Sequence, residues 1–165
     1  MIRFRHMLQM LLLGLVAVVA VGCVAGELKA DNHSASYDRP GFVTGVEDGR
    51  LWVFRAGSKE ADAYLATKSK PAKHVVRPGG GPDGMTVRSP EASLIDAYML
   101  SKPGFVTAVE DGRLWVFREG SQEAEAYLAK GSKPAKHVVR PGAGPNGITI
   151  RAPEADDIDA YLAGR

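Results

Sequence analysis

From residue 42 onward the chain is written in short apolar runs separated by polar turns. "FVTGVE" and "RLWVFR", between Phe42 and Arg55, flank Asp48-Gly49, a dipeptide that accepts positive φ at both centres of a two-residue turn and so predicts a β-hairpin. That turn fixes the register. Val46 faces Leu51 and Thr44 faces Val53 on one side, while Val43 faces Phe54 and Gly45 faces Trp52 on the other. "SKEADAYLATK" then switches to helical spacing at Ala61, Tyr64, Leu65 and Lys68, with Ser58 as N-cap and Glu60 in the first turn. After Pro71, "KHVVR" and "MTVR" read as two short strands around a glycine-rich loop. "SPEASLIDAYML" closes the unit as a helix, with Ser89 at the N-cap and Pro90 at the first helical position. The order is ββαββα.

The same order occurs twice. Residues 40–102 align without a gap on residues 103–165, and 46 of the 63 positions are identical, so the chain is a tandem duplication. The domains follow: 1–22 an export signal, 23–39 a polar linker, 40–102 the first repeat and 103–165 the second. Each unit is expected to close as an α+β fold, a four-stranded antiparallel sheet with two helices on one face, arranged as a permuted ferredoxin-like plait. Within the last helix Leu94 becomes Asp157, whereas Ala92, Ile95, Tyr98 and Met99 keep apolar or aromatic partners; this places position 94 on the exposed side. The hairpin is apolar on both sides, so the sheet face without helices needs a cover. The sister repeat is the first choice, through the faces carrying Trp52 and Trp115, ahead of another chain or a ligand. "SKPG", Ser101 to Gly104, leaves almost no linker, and the two repeats should unfold together.

The first residues belong to a different pattern. "MIRFRHMLQMLLLGLVAVVAVGC" sets Arg3 and Arg5 ahead of an apolar run from Met10 to Val21, the order of an export signal and too short for a membrane span. "AVGC", Ala20 to Cys23, resembles the lipobox of bacterial lipoproteins, with Ala20 where that family usually has Leu. The resemblance covers the signal alone. It implies that Cys23, the one cysteine of the chain, is lipidated and becomes the mature N-terminus, facing the periplasm or the cell exterior. The alternatives are cleavage near Val24 to Gly26 and an uncleaved anchor. Val24 stands where enteric lipoproteins retained at the inner membrane carry aspartate, which points toward the outer membrane. Residues Glu27 to Arg39 then read as a flexible spacer.

Charge removes some partners. Cleavage before Cys23 takes Arg3 and Arg5 from 21 basic residues, leaving 19 against 19 acidic, and a neutral mature chain has no general electrostatic footprint for nucleic acid. "RPGGGPDGMTV" and "RPGAGPNGITI" carry the G-x-G-x-x-G spacing at Gly79, Gly81, Gly84 and at Gly142, Gly144, Gly147. A dinucleotide site needs that turn to open a helix, whereas here a β-branched strand follows and Pro82 or Pro145 removes an amide donor. No nucleotide is expected. Arg77 and Arg140 beside these loops are candidates for a partner surface or an anion held by loop amides, and Trp52 and Trp115 are candidates for a partner surface.

His74 and His137 occupy the identical "KPAKHVVRPG" of the two copies. A divalent metal shared between them is the one metal site that the sequence offers, if the repeats pair about a pseudo-twofold axis. No nucleophile motif or local acid–base arrangement points to catalysis. The expected function is a lipid-anchored, non-catalytic module of the cell envelope, without a cofactor, whose partner is a protein or a wall component. The alternative is a periplasmic small-ligand or metal-handling protein, or an enzyme, with its site between the repeats near His74 and His137.

Overall fold

The computed structural model describes residues 35–164; Cys23 and the signal-like run lie outside the described residues. The first repeat forms β1 (Phe42–Glu47), β2 (Arg50–Arg55), α1 (Lys59–Thr67), β3 (Val75–Arg77), β4 (Thr86–Ser89) and α2 (Ala92–Met99). The second forms β5 (Phe105–Glu110), β6 (Arg113–Arg118), α3 (Gln122–Lys130), β7 (Val138–Arg140), β8 (Thr149–Ala152) and α4 (Ala155–Ala163). The chain is therefore an α+β tandem duplication of a ββαββα unit. Asp48 and Gly49 both take positive φ, 49° and 70°, and the hairpin pairs Val46 with Leu51 and Gly45 with Trp52 as their alternation requires. Ser58 caps α1 by accepting the Ala61 N–H at 3.1 Å. Ser89 is not a cap. It lies in β4 opposite Val75, where pairing holds its backbone extended, and α2 starts after Glu91.

Two features of the sheet depart from the expectation. Its order is β1-β2-β4-β3, and β2 runs parallel to β4, so each sheet is mixed rather than antiparallel. The parallel pair requires a crossover, which α1 and β3 supply. The helices also take opposite faces. Ala61 and Tyr64 of α1 pack on Trp52 and Phe54, while Leu94, Ile95, Ala97 and Tyr98 of α2 pack on Leu51, Val53 and Val87. Successive residues of β2 point to opposite sides, so the sheet lies between its own two helices. A hairpin apolar on both faces needs two covers, and the unit has one helix for each. The sister repeat is thus not the cover, and Trp52 and Trp115 sit in separate clusters, one in each repeat.

The repeats meet elsewhere, between α2 and β5. Thr107 Oγ1 donates to the Ala97 carbonyl at 2.8 Å, and the Thr107 carbonyl accepts from Arg55 Nη1 at 2.9 Å. Val109 packs against the cores of both repeats. Gly41 closes the joint: it has φ +81°, and a Cβ there would lie 2.9 Å from Val106 Cγ1, so both the backbone and the space call for glycine. Leu94 is buried at 8% exposure, which corrects its placement on the exposed side. Its counterpart Asp157 pairs with Arg118 instead, whereas Leu94 shares a cluster with Val109 of the second repeat, so the two positions have different surroundings.

The end of the expected spacer belongs to the fold. Residues Ala35–Tyr37 form a turn of 3-10 helix, the Tyr98 hydroxyl donates to the Tyr37 carbonyl at 2.8 Å, and Arg39 donates to the Ser101 carbonyl at 3.1 Å. One repeat later the Tyr161 hydroxyl donates to Leu100 at 2.6 Å and Lys102 to Tyr161 at 2.7 Å. Each final helix is thereby tied to the residues that enter its own first strand. In the first repeat residues 37–39 supply that stretch, which in the second repeat follows directly from α2.

Candidate aromatic and basic surface

α1 covers the side of its sheet face that carries Val43 and Phe54. Toward β3 the same face is built from β2, β4 and β3, where Trp52 pairs with Arg88 and Arg88 with Val76. Residues paired across neighbouring strands share a face, so Trp52, Arg88 and Val76 form a row. The His74 ring joins it, 5.0 Å from the Trp52 ring and tilted by 58°. The Arg88 guanidinium lies 5.6 Å from the Trp52 ring centre, within range of a cation–π contact. The second repeat repeats the arrangement. His137 is 4.8 Å from Trp115, Arg151 is 5.5 Å from it, and Val139 completes the row.

These rows combine a buried anchor with an open rim. Trp52 and Trp115 are buried, whereas Val76 and Val139 are 43% and 41% exposed, and His74 is exposed beside its tryptophan. Arg88 and Arg151 make no ion pair among the described residues, and their Nε atoms are buried without a hydrogen-bond partner, as is Nδ1 of His137. Three other arginines are engaged by carboxylates. Arg77 pairs with Asp96 at 2.7 Å, Arg140 with Asp159 and Arg118 with Asp157 at 2.9 Å. A partly exposed arginine set beside an indole, without a carboxylate partner among the described residues, is equipped to receive an anionic group. The neighbouring valine offers an apolar contact.

Of the residues singled out in sequence, the structure brings Trp52 to His74 and Trp115 to His137. It removes Arg77 and Arg140 from that surface, since they adjoin Val76 and Val139 in the strand, point to the other face and bind carboxylates of α2 and α4. Arg88 and Arg151 take their place. Only the parallel register of β2 with β4 sets them beside the tryptophans, and an antiparallel reading hides it. The glycine loops spend their amides internally: Gly81 N–H donates to Met85 at 2.9 Å and Gly144 N–H to Ile148 at 2.9 Å. Among the described residues no group of three or more His, Cys, Asp or Glu is placed to hold a metal ion.

A cleft of about 370 Å³ lies at the joint, lined by Arg55, Glu60, Glu91, Leu94, Glu110 and Tyr127 among others. Its polar groups serve the fold. Tyr127 donates to Glu110 at 3.0 Å, Lys133 pairs with the same carboxylate, and Arg55 holds the Thr107 carbonyl. Burial lowers the pKa of Arg55, against the opposing pull of Tyr127, Glu110 and Glu91.

Fold and surface together define a two-repeat α+β protein that displays one aromatic and basic row per repeat. Compared with known proteins, the chain matches no family model, no curated protein and no solved structure.

Proposed function

We propose that this protein is an exported, lipid-anchored module of the bacterial cell envelope that binds an anionic, extended partner, a protein or a wall polymer, without catalysing a reaction on it. The observation that carries the binding half is the duplicated row: Trp52, His74, Arg88 and Val76 recur as Trp115, His137, Arg151 and Val139, with neither guanidinium paired to a carboxylate among the described residues. Two equal sites on one chain suit a partner that repeats its own anionic group, because the second contact is made at high effective concentration. The anchoring half rests on "AVGC" and the single Cys23, since multiple acyl chains hold a protein at a membrane where one chain binds only marginally.

Co-sedimentation with isolated wall sacculi tests the rows. Arg88→Ala or Arg151→Ala should weaken binding roughly tenfold and the pair far more, as expected when avidity is lost; a double variant that sediments like wild type would refute this reading. Membrane fractionation tests the anchor. Cys23→Ser should move the protein to the soluble fraction and remove the mass of the lipid, and a wild-type product already soluble and unmodified would exclude lipidation.

A further inference from the structure

We infer that the joint between the repeats is one member of a head-to-tail series: the outer face of α4 and the outer edge of β1 are complementary surfaces, the partner they fit is a second copy of this chain, and Asp157 and Asp38 hold them apart.

The joint shows what each surface binds. Its donor side is the outer face of α2 with Arg55, and its receiving side is β5, whose Thr107 donates to Ala97 and accepts from Arg55. The two sides are different patches, so the contact is heterologous. A heterologous contact without closure extends indefinitely unless something stops it, and terminal repeats of stacked arrays depart from the interior pattern for that reason. Because the repeats are near copies, the donor side exists again on α4 with Arg118, and the receiving side again on β1.

Both are altered where the interior contact would form. On α4, Asp157 replaces Leu94, and Arg118 Nε is turned onto its carboxylate at 2.9 Å, whereas Arg55 reaches the next strand's carbonyl. A carboxylate stands where the joint needs an apolar side chain, and it also holds the arginine that the joint needs. At β1, the N–H and hydroxyl of Thr44 both donate to Asp38 Oδ1 at 2.8 Å. Asp38 takes the hydroxyl that its counterpart Thr107 gives to a helix carbonyl. The position equivalent to Asp38 inside the joint is Ser101, whose hydroxyl turns away to Tyr98 at 2.7 Å. Capping an edge strand with charge is a general device against unwanted pairing.

Sedimentation velocity of the full-length protein in non-ionic detergent, over a concentration series, tests the inference. Wild type should sediment as one species at every concentration. Asp38→Ser/Asp157→Leu, which installs at each end the residue of the interior joint, should give dimers, trimers and longer species whose mean mass rises with concentration. Folding is not at risk, because leucine already occupies this position of the same helix in the first repeat; a far-ultraviolet spectrum equal to wild type checks it. Adding Leu65→Arg on the receiving side, where Leu65 is 46% exposed and its counterpart Leu128 lies beside Gly41 in the joint, should restore the single species. Four outcomes overturn the inference: a double variant that remains a single species, one that stops at a closed dimer, association that survives Leu65→Arg, or a wild type that already forms the series.

Discussion

At the scale of single residues the tyrosines carry much of the connection between layers. Tyr64 and Tyr127, on the buried faces of α1 and α3, donate to Glu47 and Glu110, each at 3.0 Å; Tyr98 and Tyr161 tie the final helices to the backbone. Burial pushes the Tyr161 hydroxyl up to about 12. Tyr127 is likewise pushed up to about 12, by burial first and by Glu110 against the opposing Arg55. Burial raises Tyr64 and Tyr98 as well. In the unfolded chain these phenols ionise near pH ~10. Between that pH and about 12 the unfolded state loses protons that the folded state keeps, so the unfolded side gains and stability falls as pH rises. Below pH ~10 their contribution is complete. Thermal melts should therefore be insensitive to these groups at neutral pH and fall steeply above pH ~10. Absorbance of the phenolate should rise late, together with loss of the fold; full ionisation near pH ~10 in a still folded protein would contradict the buried hydroxyls.

At the scale of elements the two copies act as controls for each other. α1 ends at Lys68 in the left-handed region, φ 57°, with its N–H donating to the Tyr64 carbonyl at 2.8 Å. α3 ends the same way with Gly131, φ 65°. A side chain in that conformation costs on the order of 1 kcal/mol, partly offset here by the Lys68 ammonium 5.0 Å from the Tyr64 ring. Lys68→Gly should stabilise the protein by about 0.5 kcal/mol, a rise of roughly 1–2 °C in Tm by calorimetry, and Gly131→Lys should lower it. The contrast between what was and was not legible runs along the same line. Ser58 as cap, Asp48-Gly49 as turn and the pairing of Val46 with Leu51 are local, and their chemistry is complete within a few residues. The partner of β2 is not local. Nothing within "RLWVFR" says that "TVRS" will lie beside it in the same direction, and so the mixed sheet, the opposite faces of the helices and the placement of Arg88 beside Trp52 were hidden together. Leu94 is hidden for another reason: comparing it with Asp157 assumes one environment for two positions, and among the described residues only Leu94 has a neighbouring repeat against it.

At the scale of the molecule that neighbour decides cooperativity. Leu94→Asp puts into the joint the residue found at the same position of α4, and its carboxylate lies within reach of Arg55 as Asp157 does of Arg118. The substitution should release Arg55 from Thr107 and cost about 2–5 kcal/mol of packing at a buried leucine. Calorimetry should show the single transition of wild type broadening or dividing into two as the repeats uncouple. An unchanged single transition would mean that the repeats are coupled by Gly41 and Val106 rather than through α2.

The hairpins of the two sheets have a consequence for how the chain assembles. Residues 42–55 and 105–118 differ at one position, Gly45 against Ala108. Gly45 lies under the Tyr64 hydroxyl, where a Cβ would come within 1.9 Å, yet its counterpart accommodates alanine beneath Tyr127. The strands therefore differ in address at this one position, where the second hairpin would require the buried Tyr64 to shift, and are otherwise interchangeable. What assigns each to its place is the tether: residues 100–104 deliver β5 to the flank of α2 before it can travel further. Fidelity in this protein is a matter of order and reach, set by a short connection between units that are otherwise interchangeable, and lengthening that connection would open the exchange of hairpins that near-identical neighbours invite.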